Sequence, residues 1–164
     1  MAASAIATHA PLFRPSIPPN NSNVEIARVS TPQGKSDFTT SSLAGFACNG
    51  RPTELLHLLA QCAARQLDTA TYLARIDGRV AGGAGVAFLG TPRGAVAQLH
   101  ISSTAPGFQG QGVQSALLGR RLEEAKKAGV GVAVVNTIPW SASERNVGRI
   151  GFRKEYRRGT WVRD

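Results

Sequence analysis

The chain has 164 residues, a length that holds one globular domain and leaves little room for a second core. Hydrophobic residues make up 42% and charged residues 18%, which excludes a disordered acidic chain, and no apolar run approaches the ~20 residues that cross a bilayer. Nineteen Lys and Arg against ten Asp and Glu give a formal charge of +9, a balance that favours anionic partners: nucleic acid, acidic lipid or a polyphosphorylated cofactor.

Residues 1–23 are rich in Ala, Ser, Pro and Asn and carry no carboxylate, and they read as a disordered N-terminal tail ahead of a domain over 24–164. A single Arg14 among several prolines makes a poor amphipathic transit helix. Val24 to Val29 reads as a strand, and Thr31 followed by Pro32 as the cap and first turn of a helix over 33–45. Arg51-Pro52-Thr53-Glu54 opens a second helix. Its Leu55, Leu58, Leu59, Cys62 and Ala63 recur every three or four residues and predict one buried face, with Cys62 in the core. Cys48 sits in a Gly-rich link and receives no role. Two cysteines are too few for a disulfide framework or a paired zinc site, and reduced thiols fit a cytoplasmic protein.

Thr71 to Ile76 and Val80 to Leu89 flank Asp77-Gly78, a hairpin signal, and Gly94 to Ser102 adds a third strand to the meander. The period then changes. Val113, Leu117, Leu118, Leu122 and Ala125 step along a helix that stops at Gly129. A buried strand over 130–135, a polar helix over 141–150 and a last strand over 152–161 complete the order β-α-α-β-β-β-α-β-α-β.

The junction between meander and long helix carries the chemistry. In Thr104-Ala105-Pro106-Gly107-Phe108-Gln109-Gly110-Gln111-Gly112-Val113-Gln114-Ser115, glycines two apart at a helix start leave backbone N–H groups bare, the arrangement by which a chain cradles phosphate. No Gly-Lys-Ser/Thr follows, which excludes a Walker A loop, and the Rossmann spacing fails at Ser115 after an antiparallel strand. A Gly-rich turn that merely starts a helix remains the alternative on these residues alone.

Gln109-Gly110-Gln111-Gly112-Val113, after Pro106 and before Ser115-Ala116-Leu117-Leu118, resembles the acyl-CoA signature Gln/Arg-x-x-Gly-x-Gly/Ala of the GNAT N-acetyltransferase superfamily. Ser143-Glu144-Arg145-Asn146 through Gly151-Phe152 is similar to a second segment of that family, and the strand order agrees. The resemblance covers residues 24–162 and implies a single α/β domain with a mixed, mostly antiparallel, V-splayed sheet and flanking helices. It implies acetyl-CoA as co-substrate, with the backbone of Ile101, Ser102 and Thr104 along pantetheine. The pyrophosphate falls to Gln109, Gly110, Gln111, Gly112, Val113, Gln114 and Ser115, with Asn146 as a further contact or a brace for the loop. Arg120 or Arg121 either reaches an adenosine phosphate or lies on a solvated helix face. Gln114 stands where the signature has Gly/Ala, so its side chain must point away from the pyrophosphate or donate to it. Val147 stands where many members carry a Tyr that reprotonates the departing thiolate.

The chemistry implied is direct attack by an amine, which needs a free-base nucleophile, a polarised thioester carbonyl and a proton for sulfur. His100 on the strand before the loop is the best-placed base. Ser102 shares its face by period two and can pass a proton through water. Glu144 and Tyr156 are the other catalytic candidates, and each of the four has an ordinary structural alternative. Trp140, Phe46 and Trp161 are candidate walls for a small-molecule amine acceptor. His9 and His57 have no ligand partner at metal spacing, so no metal is expected. A GNAT fold that binds acyl-CoA or a partner without turnover is the second reading. A nucleic-acid binder resting on Arg157, Arg158 and Arg163 is the third; it lacks a reading motif, so no specific nucleic acid is expected. A homodimer stays open.

Overall fold

In the computed structural model, which describes residues 6–11, 23–47, 53–92 and 94–157, the elements follow the chain as β1 (Ile6–Pro11), β2 (Glu25–Arg28), α1 (Pro32–Ala47), α2 (Thr53–Ala63), β3 (Thr69–Ile76), β4 (Arg79–Thr91), β5 (Gly94–Thr104), α3 (Val113–Lys127), β6 (Val132–Thr137), α4 (Ala142–Arg149) and β7 (Arg153–Arg157). Cys48, Arg51, Pro52, Arg158, Trp161 and Arg163 lie outside the described residues.

Local chemistry explains most boundaries. Thr31 Oγ1 accepts the Gly34 N–H at 3.0 Å, so Thr31 caps α1 and Pro32 occupies its first turn. Asp77 and Gly78 both take positive φ, 50° and 72°, which closes the β3–β4 hairpin with Ile76 paired to Arg79. Gly129 at φ 70° ends α3, and the Val130 N–H donates to Ala125 O across the stop. Ser141 Oγ accepts the Glu144 N–H and starts α4.

The strands form one sheet in the order β2-β3-β4-β5-β6-β1-β7. The meander β3–β4–β5 is antiparallel throughout, and β5–β6 is the parallel pair. The sheet is therefore mixed and mostly antiparallel. Parallel pairing runs only from Val96↔Val132 to Leu99↔Val135, although β5 continues to Thr104 and β6 to Thr137. Past Leu99 the two strands part, and the sheet opens into the expected V.

Residues 6–11, inside the stretch read as a tail, form β1 and lie between β6 and β7, antiparallel to both. Composition gives no hint of this strand, because its partners are more than a hundred residues away in sequence.

Two apolar clusters cover the two faces. On one, Leu117, Leu118, Leu122 and Ala125 of α3 meet Tyr72, Ala84, Val86, Ala97 and Leu99, and Val147, Ile150 and Phe152 join them. On the other, Phe38 of α1 and Ala60 and Ala63 of α2 pack on Leu73, Val80 and Ile101. The α2 expectation needs correction. Ala63 is buried as expected, but Leu55, Leu58, Leu59 and Cys62 are exposed. Periodicity establishes which residues share a helix face, not which way the face looks. Here the narrower Ala60/Ala63 stripe, whose short side chains permit close approach, is the one turned to the sheet.

Close approach also governs β4, whose Gly82, Gly83 and Gly85 leave room for neighbours. A Cβ on Gly82 would lie 2.5 Å from Ser103 O and 2.9 Å from Val113 Cγ1, so the strand that ends at the Gly-rich loop and the helix that begins after it both depend on this missing methyl. Gly82→Ala is expected to destabilise the fold by about 1–3 kcal/mol in urea unfolding. Gly148→Ala, inside α4 with nothing near its would-be Cβ, is expected to stabilise by up to ~1 kcal/mol.

Candidate functional site

The site is built where β5 leaves β6. Ala97 and Leu99 point into the α3-side cluster, as strict alternation requires, but Ile101 packs into the α1/α2-side cluster. The register shows why. Gly85 pairs with His100 and Gly83 with Ser103, so Ile101 and Ser102 together oppose Ala84 in a β-bulge. Ile101 sits at φ 44°, a left-handed conformation that a β-branched residue adopts only under constraint, at a cost of about 1–3 kcal/mol. The bulge overturns the expected sharing of a face by His100 and Ser102: each lies on its own side of the sheet.

Arg121 holds the bulge from the α3 side. Its guanidinium donates to Leu117 O at 3.0 Å, to Gly85 O across the bulge at 3.2 Å and to Ser102 Oγ on it at 3.4 Å. The side chain is 2% exposed and has no carboxylate partner among the described residues; burial pulls its pKa down to about 9. Neither expected role for Arg121, adenosine-phosphate contact or solvated helix face, survives this burial. Arg120 is likewise engaged, with Glu123 and Glu124 and over the Tyr72 ring. Sequence reasoning named Arg121 but missed this buried role, although a signal existed. Position 121 lies three and four residues from Leu118, Leu117 and Ala125, in the apolar stripe itself.

His100 packs its ring against Gly85, with Nε2 buried and without a hydrogen-bond partner among the described residues. Burial first, then the Arg121 charge, pull its pKa down to about 4, against a smaller opposing effect of Asp68. The imidazole is neutral at physiological pH and a weak base.

The Gly-rich loop follows Thr104. Gly107, Gly110 and Gly112 all take positive φ, 84°, 77° and 82°, and Gly107 and Gly110 have open space where a Cβ would stand. Gln109 and Gln111 turn inward: Gln109 Oε1 accepts the Gly107 N–H at 3.1 Å, and Gln111 Nε2 donates to Gly107 O at 2.9 Å. The two glutamines therefore shape the loop through their side chains. Gly112 is the N-cap of α3 with no side-chain cap, and Val113 behind it is buried in the core, so the helix start is anchored and its dipole meets solvent. Gln114 points away from the loop, donating to Ser143 Oγ at 3.1 Å and accepting from Asn146 Nδ2 at 2.5 Å. Asn146 also accepts from Arg149, so Gln114, Ser143 and Asn146 tie α3 to α4. Ser115 lies in the first turn of α3, half-buried.

The remaining catalytic candidates stand elsewhere. Tyr156 is on β7, separated from β5 by β6 and β1 and so by roughly 14 Å, and is 56% exposed. Glu144 pairs with Lys154 at 2.7 Å and accepts the Trp140 N–H, contacts that hold its carboxyl below the usual range. It serves the start of α4. Val147 is buried in the core, so that position supplies no acid. Trp140 is exposed beneath the Arg157 guanidinium, with its carbonyl bound by Arg145. Among the described residues no three His, Cys, Asp or Glu side chains gather as metal ligands, and no helix is long and apolar enough to cross a membrane.

A thioester carrying a polyphosphate and an amide-rich arm fits this frame on two observations. The bare, anchored α3 N-terminus suits phosphate, and Thr137 Oγ1, on β6 just past the parting of the strands, is buried without a partner among the described residues.

A model of the acetyltransferase (GNAT) family matches residues 37–152. No curated protein sequence matches the chain significantly. Among solved structures, a GCN5-related N-acetyltransferase from Kribbella flavida aligns at TM-score 0.69 and 14% identity over 95% of this chain; the chain spans only 56% of that protein. A predicted acetyltransferase with acetyl-CoA from Clostridium acetobutylicum aligns at 0.65 and 14% identity over 85% of this chain and 94% of its own. A ribosomal-protein-alanine N-acetyltransferase from Brucella melitensis biovar Abortus aligns at 0.65 and 20% identity over 86% and 98%. At these identities the likeness is one of fold.

Two outcomes test the geometry. Unfolded histidine takes up a proton near pH 6.5, folded His100 only near 4, so the unfolded state binds more protons between these values. Stability is expected to fall as pH drops through that window, by at most about 3 kcal/mol, and His100→Gln to flatten the fall in urea midpoints measured against pH. Arg121→Met, which leaves Gly85 O and Ser102 Oγ without their donor, is expected to destabilise the fold by about 1–3 kcal/mol, and hydrogen exchange at the Ile101 and Ser102 amides to quicken.

Proposed function

The chain belongs to the acetyltransferase (GNAT) family, and on that premise we propose that it transfers an acetyl group from acetyl-CoA to the amine of a small-molecule acceptor by direct attack, with no acyl-enzyme. The observation that carries this reading is the parting of β5 from β6 after Leu99↔Val135, immediately before a Gly-rich loop that caps α3. Acetyl-CoA, when bound, supplies the activated thioester.

The chain's own residues then divide the work. Along His100 to Thr104, β5 has lost its β6 partner, so the backbone of Ile101, Ser102 and Thr104 is available to pair with an amide-rich arm as an added strand would. The bulge turns peptide groups at Ile101 and Ser102 out of the regular ladder, where an N–H can polarise a carbonyl. Backbone N–H groups from Gln109 to Ser115 receive the pyrophosphate, with the Ser115 hydroxyl beside them. Gln114 and Asn146 act through the α3–α4 tie that steadies the loop rather than through phosphate contact.

Proton handling follows from the same geometry. With a pKa near 4, His100 is too weak a base to deprotonate an ammonium group, so the acceptor arrives as free amine and releases its proton to water. Glu144, held by Lys154, and Tyr156, two strands beyond the cleft, take no part.

One observation favours the second reading, an acyl-CoA-binding protein without turnover: Val147 fills the core where an acid would have to stand. Both readings predict ligand binding, and only the first predicts chemistry. At ~100 times its dissociation constant acetyl-CoA adds ~2.7 kcal/mol of stability, which is expected to raise the melting temperature by several degrees. Ser115→Glu places an acid in the first turn of α3, where the helix tolerates it but a pyrophosphate does not; the variant is expected to melt no lower than wild type and to lose the acetyl-CoA shift. No shift in the wild-type protein at millimolar acetyl-CoA overturns both readings. Thiol release across a panel of amines then separates them.

A further inference from the structure

Among the described residues, Leu55, Leu58 and Leu59 of α2 are 62, 60 and 48% exposed, Cys62 on the same face is exposed, and Leu67 just past the helix is fully so. The spacing makes the first four one stripe about two turns long, facing away from the sheet that holds Ala60 and Ala63. Burial among the described residues does not account for this face. We propose that it is a self-complementary interface and that its occupant is a second copy of this chain.

Symmetry gives the register. A two-fold axis through the centre of the stripe, between Leu58 and Leu59, runs the two helices antiparallel and sets Leu58 against Leu59 of the second copy and Leu55 against Cys62 of the second copy. No apolar side chain of the stripe is left over.

Charge points the same way. Glu54 opens the helix and Arg65 follows its end, both exposed. Antiparallel pairing brings each Glu54 toward the second copy's Arg65 and opposes the two helix dipoles, whereas parallel pairing sets like against like. The same charges argue against an anionic membrane. A membrane-surface helix carries Lys and Arg along its polar side, and α2 contains neither. On a chain of net charge +9, the Glu54–Arg65 face has balanced formal charge, so two copies meet there with least repulsion. Three leucines per copy fall short of a standard interface, so the dimer is weak and reversible. The inference is independent of the acetyl-transfer reading.

Sedimentation equilibrium of the full chain over a micromolar to near-millimolar range is expected to show a monomer–dimer equilibrium, which Leu58→Asp abolishes with the melting temperature of the monomer unchanged. In a Cys48→Ser background, Leu55→Cys is expected to form a covalent dimer with native Cys62 under mild oxidation. The same variant with Cys62→Ser is not, because the two introduced thiols lie about seven residues, ~10 Å, apart along the helix axes. A wild-type chain that stays monomeric throughout overturns the proposal. So does a dimer that survives Leu58→Asp, cross-linking that persists without Cys62, or a monomer that instead co-sediments with phosphatidylserine vesicles through the leucines.

Discussion

Ile101 sits in a conformation that its own side chain disfavours, and the surrounding fold is arranged so that it has no alternative. Arg121 grips Gly85 O on one side of the bulge and Ser102 Oγ on the other. Gly83 makes way for Phe38 and Gly85 for the His100 ring on one face of β4, and Gly82 for Val113 of α3, so the strand can be packed tightly next to the distortion. The α1 helix presses on the same place: Gly45 lies so near Ser103 and Thr104 that a Cβ would stand 2.7 Å from one and 2.9 Å from the other. A strand pinned from three directions can hold peptide groups off the regular ladder at little entropic cost during binding. That is what a site made of backbone rather than side chains requires.

This arrangement explains an otherwise uncomfortable feature. A buried guanidinium without a carboxylate pays a desolvation penalty, yet carbonyl and hydroxyl oxygens alone satisfy Arg121. A carboxylate partner would neutralise the local field; without one among the described residues, Arg121 keeps a positive charge beside the bulge.

Much of this was legible in the sequence, for identifiable reasons. The Asp77-Gly78 hairpin, the Thr31-Pro32 start, the Gly129 stop and the Gly-rich loop are local: each depends on φ preferences or caps within a few residues. What escaped notice is decided over distance. The direction of the α2 face and the bulge that separates His100 from Ser102 depend on which side of the sheet a residue meets, information that period alone does not hold. Gln114 is intermediate: its departure from the family signature was visible, but its partners Ser143 and Asn146 lie on another helix.

The position of β1 carries a consequence for how the molecule comes into being. Its six residues are made well before their partners, since Ile6 pairs with Thr137 and Arg157 far along the chain. Until those partners emerge the strand waits unpaired while the meander and α3, whose contacts are nearer in sequence, assemble behind it. Closure of the sheet between β6 and β7 carries the largest loop-closure entropy in the sheet, which disfavours its early formation. Until then β6 presents an open edge, and a chain stalled at that stage is exposed to pairing with its neighbours.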